Sequence, residues 1–157
     1  MGMDVYGKNP ASKKGEYCRN NVWWWRPLWD YCLEVGDDII PAAGAKRGHY
    51  NEGWGLNAAG AARLAERLRE NIQSGLTKQY ADAREKHLKS LPDEPCEICE
   101  GTGKRATPPK TGPGRETCNG CDGKGKKRPW DTEYPFEEKN VQEFADFLND
   151  SGGFEIC

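Results

Sequence analysis

Hydrophobic positions in this chain change period several times, and each change marks an element. Met3 to Tyr6 alternates and predicts a short strand. A polar loop follows from Gly7 to Gly15. Glu16 to Trp25 reads as a second strand ending in Val22, Trp23, Trp24 and Trp25. Pro27 suits the first position of a helix, where its missing N–H costs nothing. Leu28, Tyr31, Cys32 and Val35 then share a helical face, and Gly36 stops it. Residues 37–56 look irregular.

Asn57 is a good N-cap for a helix to Ser74, with Gly75 as its stop. Leu64, Ala65, Leu68 and Ile72 form its apolar stripe, and Ala58, Ala61 and Ala62 allow close packing. Thr77 is read as the cap of a second helix reaching Ser90, ended by Pro92. The pair predicts an antiparallel helical hairpin. Asn140 and Glu143 resemble a capping box at the start of a last helix. Its apolar face is Val141, Phe144, Ala145 and Leu148. Phe154 and Ile156 predict a closing strand. The fold class is therefore α+β: a small helical layer with short terminal strands and an inserted zinc-binding hairpin. The expected domains are a core of residues 1–91 and 131–157, with an insertion at 92–130.

Composition narrows the class. With 157 residues, 36% hydrophobic and 31% charged, the chain has a modest core. It contains 19 glycines and 10 prolines, so loops are plentiful. No apolar run approaches the roughly 18–20 residues of a membrane helix. The N-terminus lacks a secretion-signal layout, and Tyr6 stands where myristoylation wants Ser or Thr. A cytoplasmic location, without a membrane partner, is the expectation. The net charge of −2 hides a segregation. Residues 96–130 carry eight basic and four acidic side chains, whereas 131–157 carry one and eight. Such a tail either docks on the basic middle or faces a different partner.

Four of the seven cysteines occur in two copies of one pattern. These are Cys96-Glu-Ile-Cys99-Glu-Gly-Thr-Gly and Cys118-Asn-Gly-Cys121-Asp-Gly-Lys-Gly. Two residues between cysteines let both thiolates of one turn reach one ion. The glycines that follow permit positive φ and let backbone N–H groups approach sulfur. Two facing turns supply four sulfurs, the ligand set of a closed structural zinc site. Iron–sulfur and redox dithiol chemistry are the alternatives. One structural Zn²⁺ on Cys96, Cys99, Cys118 and Cys121 is the expected cofactor. Its binding would fold a segment with almost no core of its own.

The repeat resembles the cysteine-rich zinc finger of the DnaJ chaperone family, with its Cys-x-x-Cys-x-Gly-x-Gly signature. The resemblance covers two copies where that family has four. Neither His49 nor His87 precedes a proline, so the J-domain motif is absent. It implies a zinc hairpin and not a co-chaperone. The whole chain also resembles small uncharacterised phage and bacterial proteins. That likeness lies in the start Met3-Asp-Val-Tyr-Gly-Lys, the block from Arg19 to Trp29, and the end from Gly152 to Cys157.

Two surfaces are candidates for binding. Trp23, Trp24, Trp25, Arg26 and Trp29 are crowded; in a strand, Trp24 would face away from Trp23 and Trp25. At least one would then be an exposed contact for a protein partner. The other surface is basic: Lys104, Arg105, Lys110, Arg115, Lys124, Lys126, Lys127 and Arg128 would meet nucleic-acid phosphates. No P-loop, Gly-x-Ser-x-Gly or dinucleotide fingerprint occurs. His49, Tyr50, Glu52 and the spare Cys18, Cys32 and Cys157 do not assemble nucleophile, base and orienter. The expected function is thus a non-enzymatic, zinc-stabilised binding protein, a phage-type inhibitor or adaptor acting on a host protein complex. A nucleic-acid binder is the alternative. A small-molecule binder or enzyme at the Trp25–Tyr50 region is a third reading.

Overall fold

The computed structural model describes residues 2–105 and 116–157. It divides into two compact units, Met1–Glu85 with Tyr134–Cys157, and Lys86–Glu133. The fold class is α+β, as the sequence predicts.

In the first unit, strand β1 (Gly2–Gly7) lies at the centre of a three-stranded antiparallel sheet. It is flanked by β2 (Tyr17–Asn21) and β5 (Phe154–Ile156), so the two chain ends close one sheet. Val5 pairs with Cys18 on one side and Ile156 on the other. The alternation that predicted β1 has its cause here. Met3 and Val5 point into the core, while Asp4 and Tyr6 do not. A four-residue helix, α1 (Lys13–Glu16), interrupts the predicted loop before β2.

The second strand is shorter than the sequence reading, and its tryptophan end is helical. Helix α2 (Val22–Val35) begins as soon as Asn21 accepts a hydrogen bond from the Trp23 N–H at 2.9 Å. A run of four apolar residues has no period of its own; the cap and the i,i+4 spacing of Trp25 and Trp29 decide it. Their rings stack 5.7 Å apart at 7°. Pro27 is consequently the sixth residue of the helix, not its first. Leu28, Tyr31 and Cys32 are buried on the expected face, and Gly36 ends the helix.

Residues 42–47 form a further short helix, α3 (Ala42–Arg47). Helix α4 (Ala58–Gln73) starts on the Asn57 cap, whose side chain accepts from the Gly60 N–H at 2.8 Å. Its buried residues are Ala61, Leu64, Ala65 and Leu68; Ala58 and Ala62 are exposed. Gly75, at φ +79°, turns the chain into α5 (Leu76–Ser90). Thr77 is not a cap. It lies inside α5, fully buried, with its hydroxyl 2.9 Å from that of Tyr31. Helices α4 and α5 do not run side by side as a hairpin; Tyr80 of α5 packs tilted against Tyr31 and edge-on against Phe136 instead.

Helix α6 (Glu138–Asp150) packs most extensively on α4. The predicted capping box does not form. Asn140 sits inside the helix, accepts from the Asn20 side chain at 2.7 Å and donates to the Trp24 carbonyl at 3.3 Å. A tertiary partner has taken the side chain that local pattern assigned to a cap. Val141, Phe144, Ala145, Phe147 and Leu148 complete the core of this unit with Trp25, Trp29, Trp54 and Phe154.

The second unit contains the end of α5, a two-stranded ladder of β3 (Glu94–Pro95) with β4 (Lys126–Lys127), and a 3₁₀ turn at Trp130–Glu133. Its buried cluster is four cysteines.

Candidate metal centre

The two Cys-x-x-Cys turns are built alike to the level of single hydrogen bonds. Gly101 N–H donates to the Cys96 carbonyl, and Gly123 N–H to that of Cys118, at 3.2 and 3.0 Å. Glu100 and Asp122 both have φ of 50°, and Gly101 and Gly123 continue the left-handed turn. Gly103 N–H then points at the Cys99 sulfur and Gly125 N–H at the Cys121 sulfur, each at 3.2 Å. The turns also cross-link: Cys96 N–H donates to the Gly125 carbonyl, and Cys118 N–H to that of Gly103, both at 2.9 Å. A Cβ on Gly103 would lie 2.3 Å from the Gly123 carbonyl oxygen, and one on Gly125 equally close to that of Gly101. Glycine is required by this close approach as well as by φ.

The result is a cage of four sulfurs. Cys96 and Cys118 are 3.9 Å apart, Cys99 and Cys121 3.7 Å, and all four ligand atoms lie within 4.8 Å of one another. A tetrahedral ion with metal–sulfur bonds near 2.3 Å needs sulfur–sulfur edges of about 3.8 Å. Cys96 and Cys118 are fully buried, and Cys99 and Cys121 nearly so. The four cysteines can therefore hold one metal ion.

The proton affinities of Cys99 and Cys121 are split. Burial works to raise the Cys99 thiol. The Gly103 N–H and the three neighbouring cysteines overcome it and bring it down to about 7. Burial pushes the Cys121 thiol up to about 11. The Cys99 and Cys121 thiols do not ionise together, and a cation in the cage is what would make them do so. With all four coordination positions taken by sulfur, such an ion has no open site for a substrate.

The basic candidates divide. Lys104, Lys124 and Lys126 are exposed, and Lys127 is half-buried on β4. Arg105 is turned inward: its guanidinium donates to Asn119 Oδ1, and its backbone N–H to the Glu116 carbonyl at 2.8 Å. Arg128 is also engaged, donating to the carbonyls of Leu91 at 2.7 Å and Leu88 at 2.5 Å. Lys110 and Arg115 lie outside the described residues.

The aromatic candidates divide too. Trp25 and Trp29 are wholly buried, and the Trp25 indole donates to the Gly48 carbonyl at 2.8 Å. They are core and not a contact surface. Trp23, Trp24 and Arg26 are half-buried. Trp23 lies 4.9 Å from the Tyr134 ring, and Arg26 donates to the Tyr134 hydroxyl at 3.1 Å. Because Val22–Val35 is helical, Trp24 does not alternate away from Trp23 and Trp25 as it would in a strand.

His49 meets Asp30 at 3.2 Å. Burial raises the Cys18 thiol to about 11 and raises that of Cys32 as well, so both are held as inert thiols. No helix among the described residues is long and apolar enough to cross a membrane.

One residue of this unit escaped the sequence reading. Ile98, between Cys96 and Cys99, is 57% exposed. It leans toward Gly120, where a Cβ would come within 2.5 Å of it. An aliphatic side chain inside a Cys-x-x-Cys turn, facing a glycine in the second copy, is the signal that marks it. Comparison with protein families, curated proteins and solved structures finds no match for this chain.

Proposed function

We propose that this chain is a non-enzymatic binding protein whose Lys86–Glu133 unit is folded by one structural zinc ion. The observation that carries this reading is the sulfur cage, with edges of 3.7 and 3.9 Å and ligands sealed from solvent. Thiolate softness and tetrahedral spacing favour zinc, and the doubled Cys-x-x-Cys-x-Gly-x-Gly pattern resembles the DnaJ-type finger. A protein partner is favoured by Ile98, an exposed aliphatic side chain that the metal turn holds in place. The likeness to small phage proteins supports an inhibitor or adaptor role on a host protein complex, counter-defence included.

Nucleic acid is the second reading, favoured by the exposed Lys104, Lys124 and Lys126. Charge weighs against it. Residues 86–133 carry ten basic and eight acidic side chains, a net of about +2. Four thiolates on a divalent ion contribute about −2, which leaves little field to attract phosphates.

Metal content separates the first question from the second. Purified protein is expected to carry one zinc per chain; a value well below one in folded protein removes the zinc reading. Zinc-loaded Ile98→Ser is then compared with the wild type in partner capture. Unchanged capture by Ile98→Ser removes the proposed contact. Binding to an oligonucleotide that falls steeply with salt, and vanishes on charge reversal of Lys124, Lys126 and Lys127, installs the second reading instead.

A further inference from the structure

We infer that the metal centre sets the length of helix α5, acting through Arg128; the inference rests on the zinc reading above. Helix α5 has a poorly supported end. From Lys86 to Ser90 only Leu88 is less than exposed, so packing contributes little to this last turn. No glycine follows to form a C-terminal cap; Leu91 and Pro92 come next. The last carbonyls of a helix lack partners within it and carry partial negative charge.

The Leu88 carbonyl accepts one long backbone bond, from the Leu91 N–H at 3.3 Å, and Arg128 adds to it. Its two terminal nitrogens donate to the Leu88 and Leu91 carbonyls, at 2.5 and 2.7 Å. The same guanidinium lies 3.6 Å from Asp93. Ser90 contributes one further bond, from its hydroxyl to the His87 carbonyl at 2.7 Å. A planar, always-charged fork suits paired carbonyls at a helix C-terminus, which an ammonium matches less well.

Arg128 is 37 residues from Leu91 in sequence, and the metal turns close that distance. Cys96 N–H donates to the Gly125 carbonyl, and one residue beyond it Lys126 pairs with Pro95 and Lys127 with Glu94. Arg128 follows directly. A two-residue ladder is too short to hold by itself, so the four sulfurs on one ion are what keep it shut. When the ion leaves, the ladder opens, Arg128 is released, and the final turn of α5 frays. Metal occupancy is thereby converted into helix length within this unit.

Hydrogen exchange on the full chain tests this, comparing wild type with Arg128→Gln, each first stripped with a chelator and then titrated with zinc. Zinc is expected to slow amide exchange over residues 86–91 about tenfold or more in the wild type. In Arg128→Gln, the slowing over the same residues is expected to be no more than about twofold, at one zinc per chain in both proteins. If Arg128→Gln takes up zinc and protects 86–91 as fully as the wild type, the inference is overturned while the zinc reading stands. Equal protection in chelated and zinc-loaded wild type overturns it as well. If the wild type takes up no zinc, both fall.

Discussion

The two units of this chain hold their backbones by different means. Residues 2–85 with 134–157 bury a continuous cluster around Trp25, Trp29, Phe144 and Phe154. Residues 86–133 bury four cysteines as their only cluster among the described residues. The first unit is stabilised by apolar area removed from water. In the second, a metal would replace that area. The contrast predicts that each unit tolerates damage to the other's source of stability. It also explains why glycine crowds the second unit: a metal cage needs backbone close to sulfur, where a core needs side chains.

The largest expected effect is the loss of the cage. Cys118→Ser should abolish zinc binding, removing a coupling worth about 10–16 kcal/mol in comparable finger peptides. Limited proteolysis should then cut within residues 86–133, while the near-UV signal of the buried tryptophans survives. Loss of that signal too would mean the units are not independent. Trp25→Ala reverses the experiment. Removing a fully buried ring should cost about 3–5 kcal/mol in denaturant unfolding, with zinc content unchanged.

Gly103→Ala is a finer probe of the cage. It puts a Cβ against the Gly123 carbonyl at a residue with φ +74°. The left-handed conformation alone costs about 1–2 kcal/mol, so zinc affinity, read by chelator competition, should drop about tenfold or more. In the first unit, Tyr31→Phe leaves the Thr77 hydroxyl buried without its 2.9 Å partner. A loss of about 1–3 kcal/mol is expected, and Tyr31→Phe combined with Thr77→Val should recover part of it.

The smallest expected effect is electrostatic. Asp146 is held below the usual carboxylate range, first by its hydrogen bond from Arg69 and then by Gln142 and Lys14. A depressed folded pKa contributes stability that is present above the unfolded value of about 3.9. It is lost as pH falls through the folded value. The advantage of wild type over Asp146→Asn should therefore be present at neutral pH, begin to shrink near the unfolded value of about 3.9, and vanish only below the folded pKa. Both partners are about one-third exposed, so solvent holds the difference to about 1 kcal/mol or less.

Legibility followed the range of the interactions. The Asn57 cap, the Gly36 and Gly75 stops and the buried face of α4 were readable because each depends on neighbours within one turn. The terminal strands were readable because alternation reports a half-buried sheet. The tryptophan run was misread. Four consecutive apolar residues fit a strand or a buried helix equally well, and only Asn21 and the stacking of Trp25 on Trp29 separate the two. Thr77 and Asn140 were assigned to caps by local grammar. Tyr31 claims the first from 46 residues away; Asn20 and Trp24 claim the second from 120 and 116.

The cysteine spacing alone determined the candidate metal ligands, because a Cys-x-x-Cys turn with trailing glycines has nearly one way to present its sulfurs. The doubling of that turn determined that there are four. Sequence could not say what the surrounding cations do. Arg105 and Arg128 carry the same charge as Lys124 and Lys126, yet Arg128 is spent on the end of α5 and Arg105 on Asn119. A charge is visible in one residue. Its partner is a property of the fold, set by how the Cys-x-x-Cys turns and the short ladder bring distant backbone within reach.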